Sequence, residues 1–285
     1  MRIEVNGVRL YVDIEGSSLV PDGPEMREKP TLIALHGGPG SDHSIYKPHL
    51  GQLADMCQII YVDHRGNGRS DDGDPSTWTL AQWGDDIAGL CDVLGLDAPI
   101  IYGASFGGYV AQSFATRHPD RLSGLILSVT AAHVDFETVF AAFARIGGPK
   151  AGAVARTYWS DPTPDRRQAY FDTCFPLYSV RGLDQDMVAR MIVKNPVAMQ
   201  FNGPKNEHGR FDFRADLARV TCPALVIAGD RDPIMPHVFG AEIARHLPDP
   251  RFHLLENAGH TVDFDAPEAF YTLMRDFINE VSDAA

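Results

Sequence analysis

Short apolar runs recur along the chain at intervals that leave room for helices between them. "TLIALHG", "CQIIYVD", "PIIYGAS", "LSGLILSVT", "PALVIAGD" and "RFHLLENA" are apolar at most positions, the pattern of parallel strands buried on both faces. Segments of helical period lie between most of them. "TLAQWGDDIAGLCDVLGL" puts Leu80, Trp83, Ile87, Leu90 and Leu94 on one face, and "APEAFYTLMRDFINEV" repeats the pattern further on. The alternation predicts an α/β fold, a mostly parallel sheet with helices on both faces. Ahead of it, Asn6-Gly7 between two alternating runs predicts a β-hairpin. The segment "DGPEMREKP" reads as a polar loop.

One interval breaks the rhythm. From about Val134 to Arg214 no comparable strand occurs, and helical pieces are broken by "GGPK", "DPTPD" and "NGP". The βα pattern then resumes at "PALVIAGD". The expected organisation is therefore a core of residues 1–133 and 215–285 with an inserted helical cap at 134–214. A chain of 285 residues, 44 % hydrophobic, can bury a core of that size.

Charge and composition narrow the partners. A net charge of −13 leaves no basic face for nucleic acid or an anionic membrane. The expected partner is a small-molecule substrate, and the oligomeric state stays open. No stretch approaches the roughly 18 apolar residues of a spanning helix. The first residues alternate like a strand and lack the apolar run of a signal peptide, so the expected location is cytoplasmic. Cys57, Cys91, Cys174 and Cys222 show no CxxC spacing and read as thiols in a reducing compartment. The histidines are scattered without ligand spacing, so no metal is expected.

Chemistry concentrates at "PIIYGASFGGYV". Gly103-Ala104-Ser105-Phe106-Gly107 is a G-x-S-x-G between a strand and a helix. That is the form of a nucleophile elbow, where a strained serine needs small neighbours two positions either side. A phosphate-binding loop would need G-x-G-x-x-G or G-x-x-x-x-G-K-[ST], and neither occurs here. A serine nucleophile needs a base oriented by a third group. His260, after the last strand-like run, and Asp232, after the preceding one, complete the chain order Ser, Asp, His expected for this elbow. Asp230 is the rival acid. Oxyanion donors are expected from the Phe106 amide and from Gly37 or Gly38 in "LHGGPG", with Gly38 preferred. His36 reads as a brace for that loop.

Four such parts in this order resemble the α/β-hydrolase superfamily along essentially the whole chain. "HGGPG" at His36–Gly40 followed by "DHRGNGRS" at Asp63–Ser70 is similar to the prolyl iminopeptidase branch. The resemblance implies a D-x-R-G-x-G-x-S turn, in which Asp63 and Arg65 are structural. It also implies cofactor-free hydrolysis. That branch typically carries G-G-S-W-G at the elbow, where this chain has Ala104 and Phe106. It also holds a free amino terminus with cap glutamates, and Glu207 is the one candidate near the end of this cap. The expected activity is thus a serine hydrolase acting on an ester, lactone or amide. An aminopeptidase, a small-molecule receptor and a perhydrolase on the same fold remain alternatives. Phe136, Phe140, Phe143, Tyr158, Trp159, Phe171, Phe175, Tyr178 and Met199 are the cap's cavity candidates, most of them expected in its core.

Overall fold

The computed structural model describes residues 1–283. Its opening hairpin pairs β1 (Arg2–Val5) with β2 (Val8–Glu15) through Asn6 and Gly7 at φ 48° and 77°. Two successive positive φ values give the turn whose twist matches its strands. Next come β3 (Leu19–Asp22) and β4 (Glu25–Glu28), a small antiparallel hairpin where a loop was expected. No residue of either strand is buried, so the hairpin leaves no hydrophobic alternation in the sequence.

The main sheet adds β5 (Thr31–Leu35), β6 (Gln58–Asp63), β7 (Ile100–Ala104), β8 (Gly124–Ser128), β9 (Ala224–Gly229) and β10 (Pro250–Leu255). The order across it is β1-β2-β6-β5-β7-β8-β9-β10, parallel from β6 onward. Alternate residues of each strand feed two separate cores. Ile33, Leu35 and Ile101 pack on one face with Trp83, Ile87 and Phe114. These belong to α1 (Leu80–Leu94) and α2 (Phe106–Arg117). Leu32, Ala34 and Tyr102 pack on the other face with Phe270, Met274 and Phe277.

Between β8 and β9 the chain is helical. It contains α3 (Phe136–Ser160), broken at Gly148, then α4 (Pro164–Thr173), α5 (Gln185–Arg190) and α6 (Asn195–Phe201). The break falls at "GGPK", where Gly148 has φ 81° and Pro149 cannot continue the ladder. After β9 follow α7 (His237–His246), β10, a short α8 (Val262–Asp265) and α9 (Pro267–Asp283). Among the described residues no helix is long and apolar enough to cross a membrane.

Candidate active site

Strand β7 ends at Ala104 and α2 begins at Phe106, so Ser105 alone makes the turn. It sits at φ 54°, ψ −122°, a region that L residues avoid at a cost of roughly 1–3 kcal/mol. The surroundings hold it there. Its N–H donates to Ser128 O at 3.0 Å, and its carbonyl accepts from Thr130 Oγ1 at 2.8 Å and Gly108 N–H at 2.9 Å. A Cβ on Gly103 would strike the Gly107 carbonyl, and one on Gly107 would strike the Leu35 carbonyl. The glycine spacing therefore reflects backbone-to-backbone approach. The Phe106 ring is buried edge-on against Trp83 (5.0 Å) and Phe201 (5.1 Å). Its backbone N–H lies in the first turn of α2, where no carbonyl of the helix can accept it.

Asp232 follows β9 by a few residues and is buried. One carboxylate oxygen accepts from the N–H groups of Ile234 and Met235, both at 2.8 Å; the other lies 2.7 Å from His260 Nδ1. This leaves His260 Nε2 for the cavity that His260 and Ser105 both line. Asp230 is turned elsewhere, accepting from Ala258 N–H at 3.1 Å.

The histidine loop is also tied to the helical interval, a link with no local signature in the sequence. His260 N–H and Thr261 N–H both donate to Tyr178 O, at 2.6 and 3.2 Å, and the Tyr178 ring stands edge-on to the imidazole at 4.9 Å. Asp265 fastens the same junction. Its carboxylate accepts from Gly259 N–H (2.8 Å), Ser179 Oγ (2.6 Å), Val180 N–H (3.2 Å) and Arg181 N–H (3.3 Å). Asp265→Ala leaves these donors without their shared acceptor and should lower the unfolding free energy by about 2–3 kcal/mol. Urea denaturation checks that figure, and Asp265→Asn should recover part of the loss.

Gly37 and Gly38 leave β5 and line the cavity. Gly37 lies against Ser105, since a Cβ on it would stand 3.2 Å from Ser105 Cβ. His36 braces this loop: its Nδ1 is 3.0 Å from Gly37 O, and His64 N–H donates to its Nε2 at 3.3 Å. Asn67 Oδ1 accepts from Gly40 N–H at 2.6 Å, so "DHRGNGRS" supports "HGGPG" directly. Within that turn, Asp63 accepts from the N–H groups of His43 and Arg69, both at 2.8 Å, and Arg65 makes a bidentate pair with buried Asp86. Asp42, His43 and Asp63 lie close enough together to suggest a metal site. Their carboxylates are already engaged, however, Asp42 by Arg69, Ser44 Oγ and Ile192 N–H.

Glu207 lies outside this cavity. Both its carboxylate oxygens are 3.1 Å from Leu80 N–H, at the first residue of α1, where the helix dipole favours negative charge. The expected substrate contact is thus a helix-capping contact, because the chain turns Glu207 outward and its neighbour His208 inward.

Burial pushes His208 down to about 3 and holds His36 and His64 below the ordinary imidazole value. In the unfolded chain these rings take up protons near pH 6.5, while in the fold burial favours the neutral ring to lower pH. Stability is therefore lost as pH falls below that value, by up to about 1.4 kcal/mol per pH unit for each ring. Thermal unfolding from pH 7.5 to 5 should show a falling Tm, with a shallower slope in His208→Phe.

The cavity over Ser105 is walled mainly by apolar and aromatic side chains. Of the aromatic residues expected there, Trp159, Phe175 and Tyr178 line it, while Phe140, Phe143 and Tyr158 are buried among their neighbours in the core. The sequence reading missed Asn202, His208, Asp184 and Asp263. A strand, a strained serine, a following helix and a histidine on the loop after the last strand make the architecture that of an α/β hydrolase.

Comparison with known proteins agrees. The α/β hydrolase fold family model matches residues 30–267. Proline iminopeptidase PfmaB of Pestalotiopsis fici is 31 % identical over 88 % of this chain and 92 % of its own. 3-Oxoadipate enol-lactonase 1 of Acinetobacter baylyi is 24 % identical over 96 % and 95 %. Among solved structures, the proline iminopeptidase of Mycobacterium smegmatis superposes with TM-score 0.77 at 22 % identity, covering 100 % of this chain and 99 % of that one. The chain belongs to the α/β-hydrolase superfamily, in its prolyl iminopeptidase-like branch, and is a hydrolase of that fold.

Proposed function

We propose that the chain is a cofactor-free serine hydrolase that cleaves an ester, lactone or amide of a small, mainly apolar substrate through an acyl-enzyme on Ser105. The observation that carries this reading is the 2.7 Å contact of His260 Nδ1 with buried Asp232, beside a cavity lined by a strained Ser105. His260 Nε2 takes the hydroxyl proton as Ser105 Oγ bonds to the substrate carbonyl carbon. Asp232 orients the ring and stabilises its charged form. The Phe106 amide and that of Gly38, with Gly37 beside it, bind the oxyanion. Collapse of the tetrahedral intermediate expels the leaving group, which receives the proton from His260. Water then attacks the acyl carbon, giving a proton to His260, and Ser105 recovers it as the acid departs. Residues 134–214 act as the cap that closes this cavity.

A second reading, an aminopeptidase that holds a free amino group, is favoured by Asp263. Asp263 lines the same cavity and makes no ion pair among the described residues. Matched p-nitrophenyl esters and aminoacyl p-nitroanilides, prolyl among them, separate the two. Ester-selective turnover is the expected result. Prolyl-anilide turnover that disappears in Asp263→Asn would replace it with the aminopeptidase. Stoichiometric labelling of Ser105 by a fluorophosphonate without turnover of either series would overturn both in favour of a ligand receptor.

A further inference from the structure

Between α5 and α6 the chain leaves the helical conformation for residues 191–194, and this strap lies along the loop that follows β5. Its contacts keep a register. Arg190 Nε donates to Ser44 O at 3.2 Å, Ile192 N–H to Asp42 Oδ1 at 3.1 Å and Lys194 N–H to Gly40 O at 2.6 Å. Every second residue of one segment thus meets every second residue of the other in the opposite direction, the spacing of an antiparallel ribbon. Between these steps Ser41 Oγ donates to Met191 Sδ at 3.4 Å. Lys194 Nζ pins the end of the strap to Asp72 Oδ1 at 2.6 Å.

The loop is built for this approach. Gly40 sits at φ 88°, and a Cβ there would strike the Lys194 carbonyl. A side chain at that position would push the strap away, so the last glycine of "HGGPG" is where the helical interval meets the loop. Gly40 is gripped from two sides, its N–H by Asn67 Oδ1 in the turn after β6 and its carbonyl by Lys194 N–H. Ser41 N–H donates in turn to Gly38 O at 2.8 Å, so the residues the strap holds close the turn that carries Gly38. Asp42 is fully buried and shares its Oδ1 between Ile192 N–H and Ser44 Oγ. A buried carboxylate deprived of a donor is costly, so strap and loop keep one another in place.

We propose that residues 191–194 position the loop of Gly37 and Gly38 for catalysis, with Asp42 as the positioning residue through which they act. The proposal rests on the reading of that loop as an oxyanion donor to a substrate attacked by Ser105. Such donors work only when aimed at the developing charge, and misplacement by about 1 Å costs up to about 100-fold. The seating of the helical interval therefore governs the chemical step, even for a substrate too short to touch it. A strap that merely walled the cavity would act on substrate binding, and chiefly on long substrates.

Ile192→Pro deletes the strap's N–H to Asp42 and keeps every residue of the loop. Met191 already has φ −63°, ψ 126°, a conformation that a following proline accepts. With folding checked by thermal unfolding, kcat should fall by about tenfold or more for p-nitrophenyl acetate and p-nitrophenyl octanoate alike, with KM changed by less than about threefold. An oxyanion forms in both acylation and deacylation, so kcat reports it whichever step limits. Asp42→Ala should match this loss, and Asp42→Asn, which keeps an oxygen for Ile192 N–H, should recover most of it. Parent-like kcat in a folded Ile192→Pro overturns the strap and leaves the hydrolase intact. So does a loss confined to the octanoate or to KM. An Asp42→Asn protein as impaired as Asp42→Ala does the same, because it assigns Asp42 to its pair with Arg69 instead. If the variants do not fold, the parent protein decides. There the fluorophosphonate adduct on Ser105 should slow hydrogen exchange at the Ile192 and Lys194 amides by about threefold or more, since coupling between sites is reciprocal. Unchanged exchange overturns the strap. Absence of ester turnover in the parent, with no labelling of Ser105, removes the acyl-enzyme reading and the strap together.

Discussion

Ser105→Ala should lower ester turnover by about four to six orders of magnitude, the loss typical when a serine nucleophile is deleted. Fluorophosphonate labelling should vanish with it. The fold should survive, because Oγ makes no hydrogen bond on which the elbow depends; the main-chain bonds to Ser128, Thr130 and Gly108 hold it instead. Ser105→Gly sharpens the experiment. At φ 54°, ψ −122° a Cβ is strained, so glycine should be equally inactive yet more stable than alanine by about 1 kcal/mol or more. Turnover assays with urea denaturation of the three proteins check both parts. Retained turnover in Ser105→Ala would remove the proposed mechanism, and equal stability of the alanine and glycine variants would remove the strain.

The second large effect is on folding. Gly107→Ala should cost more than about 4 kcal/mol or prevent folding altogether. The added methyl would run into the Leu35 carbonyl, with the His36 carbonyl 2.7 Å from it. Both obstacles are main chain, at the end of β5 and the start of the loop that carries Gly37 and Gly38, so neither can rotate away as a side chain would. Gly95→Ala provides the contrast. Gly95 ends α1 at φ 65°, and a Cβ added there would meet nothing within 4 Å. Its cost should be only about 1 kcal/mol, that of the left-handed conformation. Expression, circular dichroism and urea midpoints distinguish the two. A Gly107→Ala protein with the parent midpoint would mean that strand and helix do not approach each other this closely.

The parts that were legible beforehand are those whose physics is local. The apolar runs of β5 through β9 read as strands because each is covered on both faces. Asn6-Gly7 read as a turn because its φ values exclude most residues. Gly103, Ser105 and Gly107 read as an elbow because close backbone approach leaves a glycine at each point of contact. The β3–β4 hairpin was not legible, since an exposed ribbon carries no hydrophobic alternation. Glu207 was misplaced for a different reason. It and His208 are adjacent, and which of two neighbours turns inward on a short 3-10 turn is set by packing rather than by residue type.

By itself, the sequence determined the layered α/β architecture and the chain order of Ser105, Asp232 and His260, because strand burial, turn conformation and glycine contacts are written in residue type and spacing. Only the tertiary structure decided that Asp232, and not Asp230, reaches His260. It alone tied the histidine loop to Tyr178 and Asp265, and laid residues 191–194 along Gly40, Ser41 and Asp42. Those arrangements join segments tens of residues apart, and no local preference records which distant groups will meet.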